Sequence, residues 1–349
     1  MNQRTHSWIA IRAIALLEDE NEERNLVRLL KPHARKASAG AWIPDQIDAK
    51  RGGAGSGIDN HVLKMEPDTG VQRERFITRK AELLERIGMY RMTAQFIQND
   101  NSLDGDWWAT PYRGDVPKRG QHLPNRVMAL STMMKDLLLM GNEEIDSLIP
   151  GDVRFAQYMD PKTRTQTEAA AMYFFMLSHF IADVCMPCHC DGRKLAGYDE
   201  GLHKELEAHW SRKVGTGFEK RNLLENDRGL TPAQVRADRN RVLQQARDID
   251  TKFGLNFDQT TIPDLHRGHD VWLEVVNLCR ASFAIASIIA PPQQYPYDNP
   301  QVRATFATVL GDAHRQFRED VNRTVIYDAV LNTAIVWKHI WNKVSVEES

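Results

Sequence analysis

No uninterrupted apolar run of about 18 residues occurs in this chain of 349 residues, which predicts that no segment spans a bilayer. The N-terminal HSWIAIRAIALL is broken by Arg12 and followed by acidic EDENEE. It lacks the basic start and small-residue cleavage site of a secretory leader, so it reads as a helix of the mature protein. Cysteine is scarce: of four in all, Cys185, Cys188 and Cys190 crowd together and Cys279 stands alone. That spacing excludes a secreted disulfide framework and makes a reducing cytoplasm the expected compartment. A net charge of -2 supplies no global field for nucleic acid or anionic lipid, so any recognition of phosphate must be local. There is no internal repeat, low-complexity tail or strand-rich stretch, and a composition 42% hydrophobic and 26% charged is ordinary for a globular chain with a sizeable core.

Against this plain background stands HFIADVCMPCHCDGRKLAGYDEGLHKELE, from His179 to Glu207. His179 and Asp183 are four residues apart, His189 follows six later, and His203 and Glu207 are again four apart. On a helix, residues at i and i+4 share one face, so each pair can reach a common ion. The preceding TEAAAMYFFMLSHFIAD has no Gly or Pro and predicts a largely buried helix. Pro187 is expected to end it and hand His189 to a loop, before EGLHKELEAHW restarts a helix carrying the second pair. Imidazole with carboxylate suits zinc best, and manganese or ferrous iron also accept such ligands. Cys188 and Cys190 flank His189 directly, but neighbours of a ligand in extended chain point elsewhere, so both are read as free thiols.

H-x3-D-x5-H followed by H-x3-E resembles the core signature of the zinc-dependent phospholipase C and S1/P1 nuclease superfamily. The thirteen-residue gap between His189 and His203, and glutamate at 207, are more similar to the bacterial phospholipase C branch. The resemblance implies an all-α, multi-helix single domain over 1–349, with an insertion around 70–160 and a helical C-terminal part over 211–349. It implies two or three zinc ions and phosphodiester hydrolysis, of a phospholipid or a soluble ester, with nucleic acid as the substrate of the other branch. It also implies ligand sets: Asp45, His61, His179 and Asp183 for one ion; His189, His203 and Glu207 for a second; His6 and the α-amine of Met1 for a third, bridged by Asp183. Asp45 would in addition act as general base. From position alone His6 would be an exposed first-turn residue and Asp45 a turn residue. A metal-stabilised protein without catalysis is the third class of reading.

Elsewhere the pattern is helical. Phe76, Ile77, Leu83, Leu84, Ile87, Tyr90 and Phe96 predict a long amphipathic helix, and VMALSTMMKDLLLM another after Val127. Thr231-Pro232 predicts an N-cap and first position for a helix through AQVRADRNRVLQQARDID. Between the first two of these helices lies a loop with Trp107, Trp108, Tyr112, Arg113 and His122, together with Lys118 and Arg119, which is either an aromatic and basic rim for a phosphorylated substrate or a packed surface loop. His266 and His269 precede the apolar WLEVVNLCRASFAIASIIA and are assigned to its first turn.

Overall fold

A computed structural model describes residues 1–20, 24–50, 61, 63, 65–67, 109–111, 123–139, 167–191, 198–224, 231–258, 260–265, 270–289 and 315–345. Within them the fold is all-α, as expected. The two short strands described, Met65–Pro67 and Ala109–Pro111, pair antiparallel, and Met65 also bridges Asp191. This ties the chain just after His61 to the chain just after His189. The predicted helix over 71–99, the loop bearing Trp107, Trp108, Tyr112, Arg113 and His122, and the histidines 266 and 269 all lie outside the described residues.

At the centre is the helix Gln3–Glu20, whose residues from Thr5 to Leu17 are all buried. Such a helix needs partners all round. It packs against the helices Thr167–Cys185, Pro232–Asp248, Lys204–Val214 and Arg315–Ser345. The one charge in its buried stretch, Arg12, is matched: its Nε donates to both carboxylate oxygens of Asp250 at 3.1 and 2.9 Å, and its guanidinium lies 4.4 Å from the centre of the Phe257 ring. Trp8 Nε1 donates to the Ala246 carbonyl at 2.9 Å, fixing the helix against Pro232–Asp248. That partner begins as predicted at Thr231, and the cap is reciprocal. Gln234 N–H donates to Thr231 Oγ1 at 3.3 Å, and Thr231 N–H to Gln234 Oε1 at 2.8 Å, a capping box read only halfway from the sequence.

The helix Thr167–Cys185 buries Phe174, Phe175, Leu177, Phe180 and Ile181. Each fully buried side chain of this size contributes roughly 1.5–3 kcal/mol. By length and composition this helix is apolar enough to cross a membrane, which amends the expectation that no segment is, yet 72% of the qualifying window is buried inside the protein. Its apolar character is accounted for by the core. Trp337 of the helix Arg315–Ser345 donates from Nε1 to the Phe174 carbonyl at 2.9 Å, and Trp210 donates to Asn322 Oδ1 at 2.7 Å. These two indoles lock the helices Thr167–Cys185 and Lys204–Val214, which carry His179, Asp183 and Glu207, to the same long C-terminal helix. The remaining core is filled by Leu123–Leu139 and Val271–Ile289, which pack on each other and on Thr167–Cys185.

Candidate metal centre

His179 and Asp183 sit in the last turns of the helix Thr167–Cys185, on one face, and are buried. His189 departs from expectation. Pro187 does end the long helix, but it then occupies the first position of a further helical turn, Pro187–Cys190, so His189 is held in helix rather than loop. A wide π-type turn, Tyr198–His203, delivers His203 to the head of Lys204–Val214, where Glu207 follows one turn later. Asp45 lies in the first turn of a helix, Ile43–Lys50, rather than in a turn. His6 is 1% exposed, which replaces the first-turn surface position that sequence alone assigns it.

These groups converge. His61 Nδ1 and His179 Nε2 are 3.0 Å apart, and Asp183 Oδ2 is 3.0 Å from the first and 3.1 Å from the second. Asp45 Oδ1 closes the group at 3.8 Å from His61 and 3.4 Å from His179. Four donors around a tetrahedral ion with bonds of about 2.0–2.2 Å stand about 3.3–3.6 Å from one another. The five separations above bracket that value. A second group joins His189 Nε2 to His203 Nε2 at 3.1 Å and His203 Nε2 to Glu207 Oε1 at 3.0 Å. The third surrounds the α-amine of Met1, 3.0 Å from Asp183 Oδ1 and 2.9 Å from Glu207 Oε1, with His6 Nε2 3.4 Å from Asp183 Oδ1. Asp183 thus divides its two oxygens between neighbouring groups, and Glu207 joins the second group to the third, a link the sequence did not suggest.

The three combinations of ligand-type residues within 4.8 Å of each other among the described residues are His6 with His179 and Asp183, Asp45 with His61 and His179, and His189 with His203 and Glu207. The first two cannot both use His179. Its Nδ1 donates to the Ala41 carbonyl at 2.7 Å, leaving only Nε2 as a ligand atom, and Nε2 faces Asp45 and His61. We assign His179 to that group and leave His6, the Met1 amine and Asp183 as the third.

Two observations test whether these residues fit metal ions. Imidazole nitrogens face each other at 3.0 and 3.1 Å, which lets at most one proton sit between each pair while carboxylates crowd the same space. Neither ring nitrogen of buried His6 has a hydrogen bond, and its ring stacks on His179 with centroids 4.0 Å apart. Buried polar groups are ordinarily satisfied, so donors left in this state fit bound cations. Electrostatics agree. Burial, with His179 and the N-terminal charge nearby, pushes His6 down to about 4, so it is neutral at pH 7 and its lone pair is free to coordinate. Burial would raise Asp183, but the Met1 ammonium and the surrounding histidines hold its carboxyl well below the usual range. The same opposition lowers Glu207, where burial is outweighed by the Met1 ammonium and His203, and Asp45, where it is outweighed by His179. The Met1 amine runs the other way: burial would lower it, yet the two carboxylates raise it to about 11, so without an ion it is an ammonium that must lose its proton to coordinate.

The cysteines stay out of the site. All four are buried free thiols, Cys190 donates to the Val184 carbonyl at 3.3 Å, and burial raises Cys185 well above the usual thiol range. His209, two residues past Glu207, turns away toward Glu319 at 3.7 Å. The chain matches no protein-family model, no curated protein and no solved structure.

Proposed function

We propose that the protein is a metal-dependent phosphodiester hydrolase whose ligand cluster holds two or three zinc ions, with phospholipase C-type release of a head group as its reaction. The observation that carries this reading is convergence: donors from Met1, His6, Asp45, His61, His179, Asp183, His189, His203 and Glu207, distant in sequence, meet within a few ångströms. A structural zinc site is closed by four ligands, and a set this large exceeds that need. When bound, neighbouring ions of this kind lower the pKa of water toward neutrality and offset charge on phosphoryl oxygens.

The chain's own groups divide the work by burial. His6, His179 and Asp183 form a dry floor, with side chains at most 3% exposed. Asp45, His203 and Glu207, 33%, 24% and 26% exposed, form the open edge from which a substrate must approach. Asp45 is the carboxylate best placed to accept a proton from incoming water, since it borders the solvent and is kept ionised by His179. The preference for a phospholipid over a nucleic acid rests on the short spacing from His189 to His203 and on glutamate at 207.

The test is a parallel assay of short-chain phosphatidylcholine, single-stranded DNA, RNA and an aryl phosphodiester. Cleavage of the aryl ester, with phospholipid turned over faster than DNA, is expected. Robust strand cleavage without phospholipid turnover would move the protein to the nuclease reading, and zinc binding without turnover of any of the four would leave a non-catalytic metal protein. In the same assay Asp45→Asn is expected to keep at least one ion and the fold while lowering the rate about a hundredfold, the scale of losing a positioned base. An Asp45→Asn enzyme as fast as the wild type would remove that residue from the chemistry.

A further inference from the structure

The segment that presents Asp45 approaches the ligand helix more closely than any side chain would allow. A Cβ added at Gly40 would lie 2.6 Å from Phe175 Cβ, 3.1 Å from its Cδ2 and 3.3 Å from its Cγ. The nearest of these atoms is fixed to the backbone of a buried helix and cannot swing aside. Phe175 is four residues before His179, so the two share a face of Thr167–Cys185. One turn of that face receives the bare backbone of Gly40, and the next turn receives the Ala41 carbonyl, which accepts the Nδ1–H of His179 at 2.7 Å. Four residues further on, Asp45 meets the opposite nitrogen of the same ring at 3.4 Å.

We propose that Gly40 is a positioning residue for this site. By admitting the 37–45 segment to contact with Phe175, it aims the Ala41 carbonyl at His179 and keeps a proton on Nδ1, so that in the neutral ring the lone pair lies on Nε2, toward Asp45 and His61. The consequence for ion binding rests on the reading that Asp45, His61 and His179 hold an ion. A methyl at position 40 that restored an ordinary contact of 3.4 Å would carry the 2.7 Å hydrogen bond to the outer limit of one. Loss of such an orienting partner costs about 10–100-fold in metal affinity.

The experiment compares wild type, Gly40→Ala and Phe175→Leu, with histidine labelled in nitrogen-15 to read the His179 tautomer in ion-free protein at a pH where its ring is neutral, and with competitive Zn²⁺ titration to read affinity. Phe175→Leu keeps its Cβ in contact with Gly40, so it is a control for damage to the core. The expected result is that Gly40→Ala loses the Nδ1–H tautomer and weakens one class of zinc site by about 10–100-fold, while Phe175→Leu lowers the melting temperature and leaves both readouts unchanged. Should Gly40→Ala fail to fold, Ala41→Gly carries the test, because it keeps the carbonyl but frees the backbone that aims it, and a smaller shift in the same direction is expected. A Gly40→Ala or, in its place, an Ala41→Gly protein with the wild-type tautomer and zinc affinity overturns the proposal, as does a wild-type His179 without a proton on Nδ1. A tautomer shift in a protein that binds no zinc at all upholds the positioning role and overturns the metal reading instead.

Discussion

Asp183→Ala is expected to abolish ion binding in two of the three groups at once and to destabilise the ion-free fold by about 3–5 kcal/mol, the usual result of deleting one member of a buried charge cluster. Among the described residues, no other side chain touches so much of the site. Its Oδ2 faces His61 and His179, and its Oδ1 faces the Met1 amine, His6 and His189. With the carboxylate gone, the buried Met1 ammonium keeps, of its two described carboxylate partners, Glu207. Zinc stoichiometry and denaturant unfolding of ion-free protein measure the two effects. A variant that still binds a full complement of ions would remove Asp183 from the centre of the site.

The same residue fixes a pH dependence. The folded pKa of Asp183 is depressed, so its contribution to stability is complete above its ordinary value of about 4 and is lost as pH falls through the lower folded value. The Met1 amine is raised, so its contribution is complete below its ordinary value of about 8 and is lost as pH rises to about 11. Ion-free wild type and Asp183→Ala should therefore differ most between about pH 4 and 8 and draw together on either side.

The sequence made the ligand helix legible because its information is local: His179 and Asp183 share a face by helical period alone, and Thr231-Pro232 marks a helix start by backbone chemistry. Residues brought from afar were a different matter. Nothing in the text around His6 or Asp45 says that either meets His179, and on residue type alone both read as commonplace. Only the likeness of the whole pattern to a known ligand set singled them out. The turn at Pro187–Cys190 stands where the sequence predicts a loop because proline ends one helix and opens another with equal ease. The Ala41 carbonyl could not be found at all, since a backbone acceptor leaves no mark in the sequence, and Gly40 beside it looked like one more small residue in ASAGAW.

Chelation should remove hydrolytic activity and lower thermal stability together, because the same ions would serve both. The candidate ligands belong to segments far apart in the chain: Asp45 on the short helix Ile43–Lys50, His61 beside the strand Met65–Pro67, and His189 on the turn Pro187–Cys190. A shared ion joins these segments only in the folded state, so binding adds directly to folding free energy. Two ions present at about a thousandfold over their dissociation constants would contribute about 8 kcal/mol, and their removal would lower the melting temperature of a chain this long by on the order of 10 °C. The helical core should survive. Trp8, Trp210 and Trp337 anchor it through hydrogen bonds to partners outside the ligand set, and in the absence of an ion the protonated Met1 amine pairs with Asp183 and Glu207. Helical circular dichroism should therefore persist at room temperature while activity is absent, and returning zinc should restore activity and melting temperature in parallel. Elemental analysis of metal-replete protein is expected to give two or three ions per chain. Fewer than one, or a melting temperature indifferent to chelation, would mean that these imidazoles and carboxylates converge for some purpose other than holding metal.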